Sequence, residues 1–190
     1  MRKLTLLAAA AAATLAAPAF AAGITGPRVE AVVGWDHVKT NLGVLGKPNQ
    51  DGFVYGLGVG YDFGVGSKVS LGIDAEITDS TADFDVTSGT SRARLSAGRD
   101  LYAGARITGA VTDKLNLYAK VGYTNARFTG TTKIGNTTTS ASGNADGIRG
   151  GLGLQYALGS KAYVGAEYRY SNYESDLSRH QVVGTIGFRF

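Results

Sequence analysis

From Arg28 to the C-terminus, apolar residues recur at every second position through eight successive segments, which restricts the chain to strands with two unlike faces. In the first segment Val29, Ala31, Val33 and Trp35 share one face, and Arg28, Glu30, Gly34 and Asp36 share the other. The second sets Phe53, Tyr55, Leu57, Val59, Tyr61 and Phe63 against Gly56, Gly58, Gly60 and Asp62, and the third sets Val69, Leu71, Ile73, Ala75 and Ile77 against Ser70, Gly72, Asp74 and Glu76. Leu101 to Val111, Leu115 to Tyr123, Ile148 to Tyr156, Val164 to Tyr170 and Val182 to Phe190 repeat the scheme, with Arg106, Lys120, Arg149, Glu167, Arg169 and Arg189 on their polar faces.

The connections alternate in length. Gly64 to Ser67, Thr112 to Lys114 and Gly159 to Lys161 are short turns, whereas Val38 to Asp51, Asp79 to Ala97, Thr129 to Asp146 and Asn172 to Arg179 read as long polar loops. Before the first strand, Met1, Arg2 and Lys3 precede an apolar run from Leu4 to Ala17 and the small residues Ala19 and Ala21. That is the pattern of an export signal over residues 1–21, with cleavage expected between Ala21 and Ala22. The run is shorter than the roughly 20 residues of a transmembrane helix, so a mature part at 22–190 that entered a membrane would do so with strands.

Which face points inward separates a soluble barrel from a membrane barrel. On the polar faces Arg28, Arg106, Lys120, Arg149, Arg169 and Arg189 are matched by Glu30, Asp36, Asp62, Asp74, Glu76 and Glu167. A balance of this kind is expected of an enclosed ion-pair network, where an unpaired charge is costly, and has no cause on a water-facing surface. The aromatics fall into two bands, Trp35, Phe53, Tyr55, Tyr123, Tyr168 and Tyr170 near the loop ends and Tyr61, Phe63, Tyr156, Phe188 and Phe190 near the turn ends, as at two bilayer interfaces. The sequence therefore predicts an all-β fold: one eight-stranded antiparallel up-and-down transmembrane β-barrel with periplasmic turns and extracellular loops.

Composition narrows the function classes. Arg2 and Lys3 leave with the signal, so the net charge of +4 falls to +2, and the basic residues are too scattered for a nucleic-acid partner. The absence of cysteine excludes disulfides and thiolate metal sites. His37 and His180 lie at loop ends of strands; a set such as His180, Ser178 and Asp176, or His37 with a loop serine, lacks the nucleophile and base spacing of a hydrolase, so no catalytic residue is expected. Glycine runs at Gly56 to Gly60 and Gly150 to Gly153 lie within strands and lack the helix start of a phosphate loop. Asp79, Asp83 and Asp85 read as a solvated acidic cluster with Arg92, Arg94 and Arg99 as partners, so neither metal nor cofactor is expected.

The final segment, His180 to Phe190, resembles the closing strand of outer-membrane barrels, with an aromatic terminus and alternate apolar residues at Val182, Ile186 and Phe188 before Phe190; Gly184 is smaller than the usual residue. With Gly98 to Arg106 and Tyr118 to Asn125, the chain resembles the small OmpA/OmpX-like, porin-family outer-membrane barrel domain. The resemblance implies that Val182, Ile186, Phe188 and Phe190 form the signal read by the barrel-assembly machinery. It implies outer-membrane lipid and lipopolysaccharide as surroundings, loops open to a surface ligand, and a monomer. The expected role is structural or surface interaction, with a narrow pore as the alternative and a lipid-modifying enzyme third.

Overall fold

The computed structural model describes residues 24–40, 49–88, 91–174 and 177–190. The expected export signal and its cleavage point lie outside them, as does Asp176. Strands β1 (Gly26–Thr40), β2 (Asn49–Gly64), β3 (Val69–Ser80), β4 (Asp83–Ser88), β5 (Ser91–Ala110), β6 (Leu115–Ile134), β7 (Thr137–Ala157), β8 (Ala162–Tyr173) and β9 (Leu177–Arg189) make one antiparallel sheet. All but β4 close into a ring. β9 returns to pair with β1 from Arg28 opposite Arg189 to Thr40 opposite Leu177, and β3 pairs directly with β5. β4 continues the line of β3 beyond the ring and also lies against β5.

Exposure shows which face is which. Leu57, Ile73, Ile148 and Leu152 are each 60% exposed or more, and the outward apolar residues form a continuous band around the ring, while Arg28, Asp62, Arg106, Arg149 and Arg169 are buried within it. An exposed apolar belt of that size around a charged interior is the inverse of a water-soluble protein and suits hydrocarbon outside. Ring closure pairs the strand edges within that belt, as lipid requires.

The second and third long connections are not loops, contrary to the sequence expectation. β4 and the first residues of β5 form a hairpin, with Asp83 opposite Ser96 and Ser88 opposite Ser91. β6 and β7 run on together from Thr129 opposite Ser142 to Ile134 opposite Thr137. The Thr-rich sequence has the β-branched side chains that favour an extended backbone. Gly135 and Asn136 make the two-residue turn, with Gly135 at φ +58° in the left-handed region that glycine enters without penalty. Together β4 to β7 extend the sheet past the ring as a four-stranded projection.

A β-bulge marks its base. Ala97 lies opposite Phe128 but Asp100 opposite Ala126, so β5 carries one extra residue there. Below the bulge the even-numbered side chains of β5, Asp100, Tyr102, Arg106 and Thr108, point inward; above it the inward position passes to Ala97.

Candidate functional site

The structure places the twelve charged residues of the polar faces in the barrel interior, and two more join them. Asp100 and Arg179, assigned to segment ends or loops by the sequence pattern, are each 1% exposed there. Among the described residues seven cations then face seven carboxylates, and their contacts sort them into three groups, each neutral by itself.

Toward the short turns, Arg28 donates from Nε to Asp62 at 3.0 Å and also engages Asp74. Arg106 Nε reaches Asp74 at 2.9 Å, and Arg189 reaches Asp62 at 2.9 Å. Glu30 stands 3.5 Å from both Arg28 and Arg106 and accepts hydrogen bonds from Tyr163 at 2.8 Å and Gln155 at 3.1 Å.

The middle group is a closed quartet. Arg169 lies 3.0 Å from Glu76 and 2.7 Å from Glu167, and Lys120 bridges the same two carboxylates at 2.5 and 2.9 Å. Tyr118 connects it to the group below: its hydroxyl donates to Glu167 at 2.7 Å while the Arg106 guanidinium lies 4.1 Å from its ring centre.

Toward the long hairpins, Arg179 donates to Asp36 at 2.8 Å and to Asp100 at 3.0 Å, and Arg149 also holds Asp100. Thr124 and Tyr173 donate to Asp100 at 2.6 and 2.7 Å, and Ser80 to Asp36 at 2.5 Å. Phe128 meets the edge of the Tyr173 ring at 6.5 Å, above this group.

Glycine makes room for these long side chains. A Cβ at Gly187 would overlap the Tyr163 ring, one at Gly153 the Tyr118 ring, and one at Gly60 the Arg28 guanidinium. The space that the strands lose in side chain is taken up by a ring or a guanidinium lying flat on the backbone.

Outside the barrel, His37 bonds Asp51 at 2.6 Å and His180 bonds the Tyr168 hydroxyl at 2.7 Å, and the two histidines lie opposite each other on β1 and β9. Among the described residues neither imidazole bonds a serine. Ser178 lies opposite Lys39. Of the acidic cluster, Asp79 accepts from the Ser80 amide and Asp83 is paired with Arg94, the partner expected from sequence. Partial burial opposes the Asp83 charge, yet hydrogen bonds from Ser96 and Arg94 hold the carboxyl below its ordinary range. Val182, Ile186, Phe188 and Phe190 are outward and exposed on the closing strand and its end, with the two phenylalanine rings 5.4 Å apart.

The same ring is found in solved barrels. The chain resembles the attachment invasion locus protein of Yersinia pestis, at 13% identity over 87% of this chain and 99% of that one, with a TM-score of 0.54. It resembles Neisserial surface protein A at 15% identity over 87% and 97%, with a TM-score of 0.57. At such identities the likeness concerns the fold. Comparison with curated protein sequences gives no match. The outer membrane protein beta-barrel domain model matches residues 7–190, nearly the whole chain, and together with the closed ring and its lipid-facing belt this establishes that the protein belongs to that family of outer-membrane barrels.

Proposed function

We propose that the protein is a filled, non-conducting barrel that anchors a rigid sheet at the cell surface for contact with other molecules. The three neutral groups of buried ion pairs carry this reading: each spans the lumen at a different height, and none leaves a net charge that would draw an ion inward. The reading places the long-hairpin end outside the cell and the short turns in the periplasm, as in barrels of this type. It includes no catalysis. The projection also supplies a contact surface: pairing between β7 and β8 begins at Gly147 opposite Tyr173, so among the described residues Thr137 to Ala145 have no neighbouring strand on that side. An open edge of this length can accept an extended segment of another chain.

In planar-bilayer recording the refolded protein is expected to give no stable ohmic steps. Regular single-channel steps from the wild-type chain, enlarged by Glu30→Ala or Arg106→Ala, would instead establish the second reading, a narrow pore. That reading is favoured by buried polar atoms with no hydrogen-bond partner among the described residues, including both amide atoms of Gln181 and both terminal nitrogens of Arg106, which a hydrated lumen would satisfy.

A further inference from the structure

We propose that the three short turns form a basic rim that selects anionic phospholipids in the periplasmic leaflet, an inference that rests on the short turns lying in the periplasm. The turns repeat one pattern. Val65 to Lys68, Val111 to Lys114 and Leu158 to Lys161 each fill the four positions between two strands, with an aliphatic residue first and a lysine last. The amide of the first residue donates to the carbonyl just past the lysine, Val65 to Val69 at 3.0 Å, Val111 to Leu115 at 2.8 Å and Leu158 to Ala162 at 2.9 Å. The carbonyl of each lysine in turn accepts from the next strand around the ring, Lys68 from Ala110 at 2.7 Å, Lys114 from Ala157 at 2.8 Å and Lys161 from Arg189 at 2.9 Å.

These bonds fix the three lysines at equivalent points but use only a backbone carbonyl, which any residue would supply. The fold therefore gives no reason for a lysine at all three. Their side chains are exposed and have no ion pair among the described residues. Asp113 is the one carboxylate in the three turns, so the rim keeps a net positive charge.

The level of the rim identifies the partner. Val65 follows Phe63 by two positions and Leu158 follows Tyr156 by two, and Val65, Val111 and Leu158 are each more than half exposed. The lipid-facing surface thus continues past the aromatic band into the turns, which sets the lysines at the level of the headgroups. A lysine there lays its stem along the aliphatic edge and holds its ammonium among phosphates. Around the ring the lysines precede β3, β6 and β8, two strands apart each time, which at about 4.8 Å per strand is roughly 10 Å. That spread matches a surface of separate headgroups better than one small anion. In a zwitterionic lipid the phosphate already has the ammonium of its own headgroup beside it. In an anionic lipid it has none, and the lysines supply the countercharge.

Native mass spectrometry of the protein released from nanodiscs of equal phosphatidylglycerol and phosphatidylethanolamine tests the rim. The wild-type chain is expected to retain the anionic lipid about 10-fold or more over the other. Lys68→Gln, Lys114→Gln and Lys161→Gln together are expected to bring that ratio near one, whereas Lys39→Gln with Lys133→Gln, at the opposite end, leaves it unchanged. A retained difference between boiled and unboiled gel mobility shows that each variant is folded. Equal retention by the wild-type chain, an unchanged preference in the folded triple variant, or its loss in the double variant overturns the proposal. Co-sedimentation with isolated sacculi that needs the three lysines, at a lipid ratio of one, would assign the rim to an acidic polymer instead. The leaflet is tested separately. Because the chain has no cysteine, Ser160→Cys is expected to escape a bulky impermeant maleimide on intact cells and to react once the outer membrane is permeabilised. Labelling on intact cells would overturn the periplasmic assignment, whatever lipid the purified protein retains.

Discussion

Arg169→Met is expected to destabilise the folded barrel by about 3–5 kcal/mol, read from urea titration in lipid vesicles by the fluorescence of Trp35. Arg169 is fully buried and holds Glu76 at 3.0 Å and Glu167 at 2.7 Å. Its removal leaves two carboxylates for Lys120 alone, in a wall whose other side is hydrocarbon. If the lumen is filled as proposed, the remaining negative charge must be met by protonating one of the two carboxylates or by admitting water. Restoring neutrality separates charge imbalance from lost packing: Arg169→Met combined with Glu76→Gln leaves one cation and one carboxylate and is expected to recover about half of the loss or more. A single variant costing under about 1 kcal/mol, or a double variant no better than the single, would show that the quartet does not act as a closed unit.

Side-chain parity is legible in the sequence because the two faces of each strand meet opposite surroundings, lipid outside and ion pairs inside. The interior positions from Arg28 to Arg189 follow from it. Asp100 and Arg179 escape the pattern although each keeps the parity of its strand, Asp100 with Tyr102 and Arg106, Arg179 with Gln181 and Thr185. They sit where the alternation of apolar residues stops, and that stop reads as the end of the strand. At Asp100 the bulge adds a second reason, since the pattern shifts by one residue between Ala97 and Asp100.

The projection is illegible for a related cause. Above the bilayer both faces meet water, so no period of two in hydrophobicity has to be kept, and backbone pairing with the Gly135–Asn136 turn carries the structure. The partners of each charge are beyond reach as well. Arg179 meets Asp36 across 143 positions of sequence, a pairing set by the way the ring closes and absent from any local pattern.

Gly153→Val is expected to cost about 3–5 kcal/mol, because the change overlaps the Tyr118 ring and detaches its hydroxyl from Glu167. Overpacking alone accounts for about 1–3 kcal/mol, and a hydrogen bond to a buried carboxylate for about 1.5–3. Tyr118→Phe removes only the second contribution and is expected to cost about 1.5–3 kcal/mol, leaving the ring flat on Gly153 and under Arg106. The ring is also the link between the middle quartet and the group below it, so its displacement loosens Arg106 as well as Glu167. A double-mutant cycle isolates the contact: Tyr118→Ala empties the space that the introduced valine side chain needs, so the combined variant is expected to cost less than the sum of its two singles. Strict additivity would mean that ring and strand do not touch, and that Gly153 is not what lets the Tyr118 ring lie against the wall.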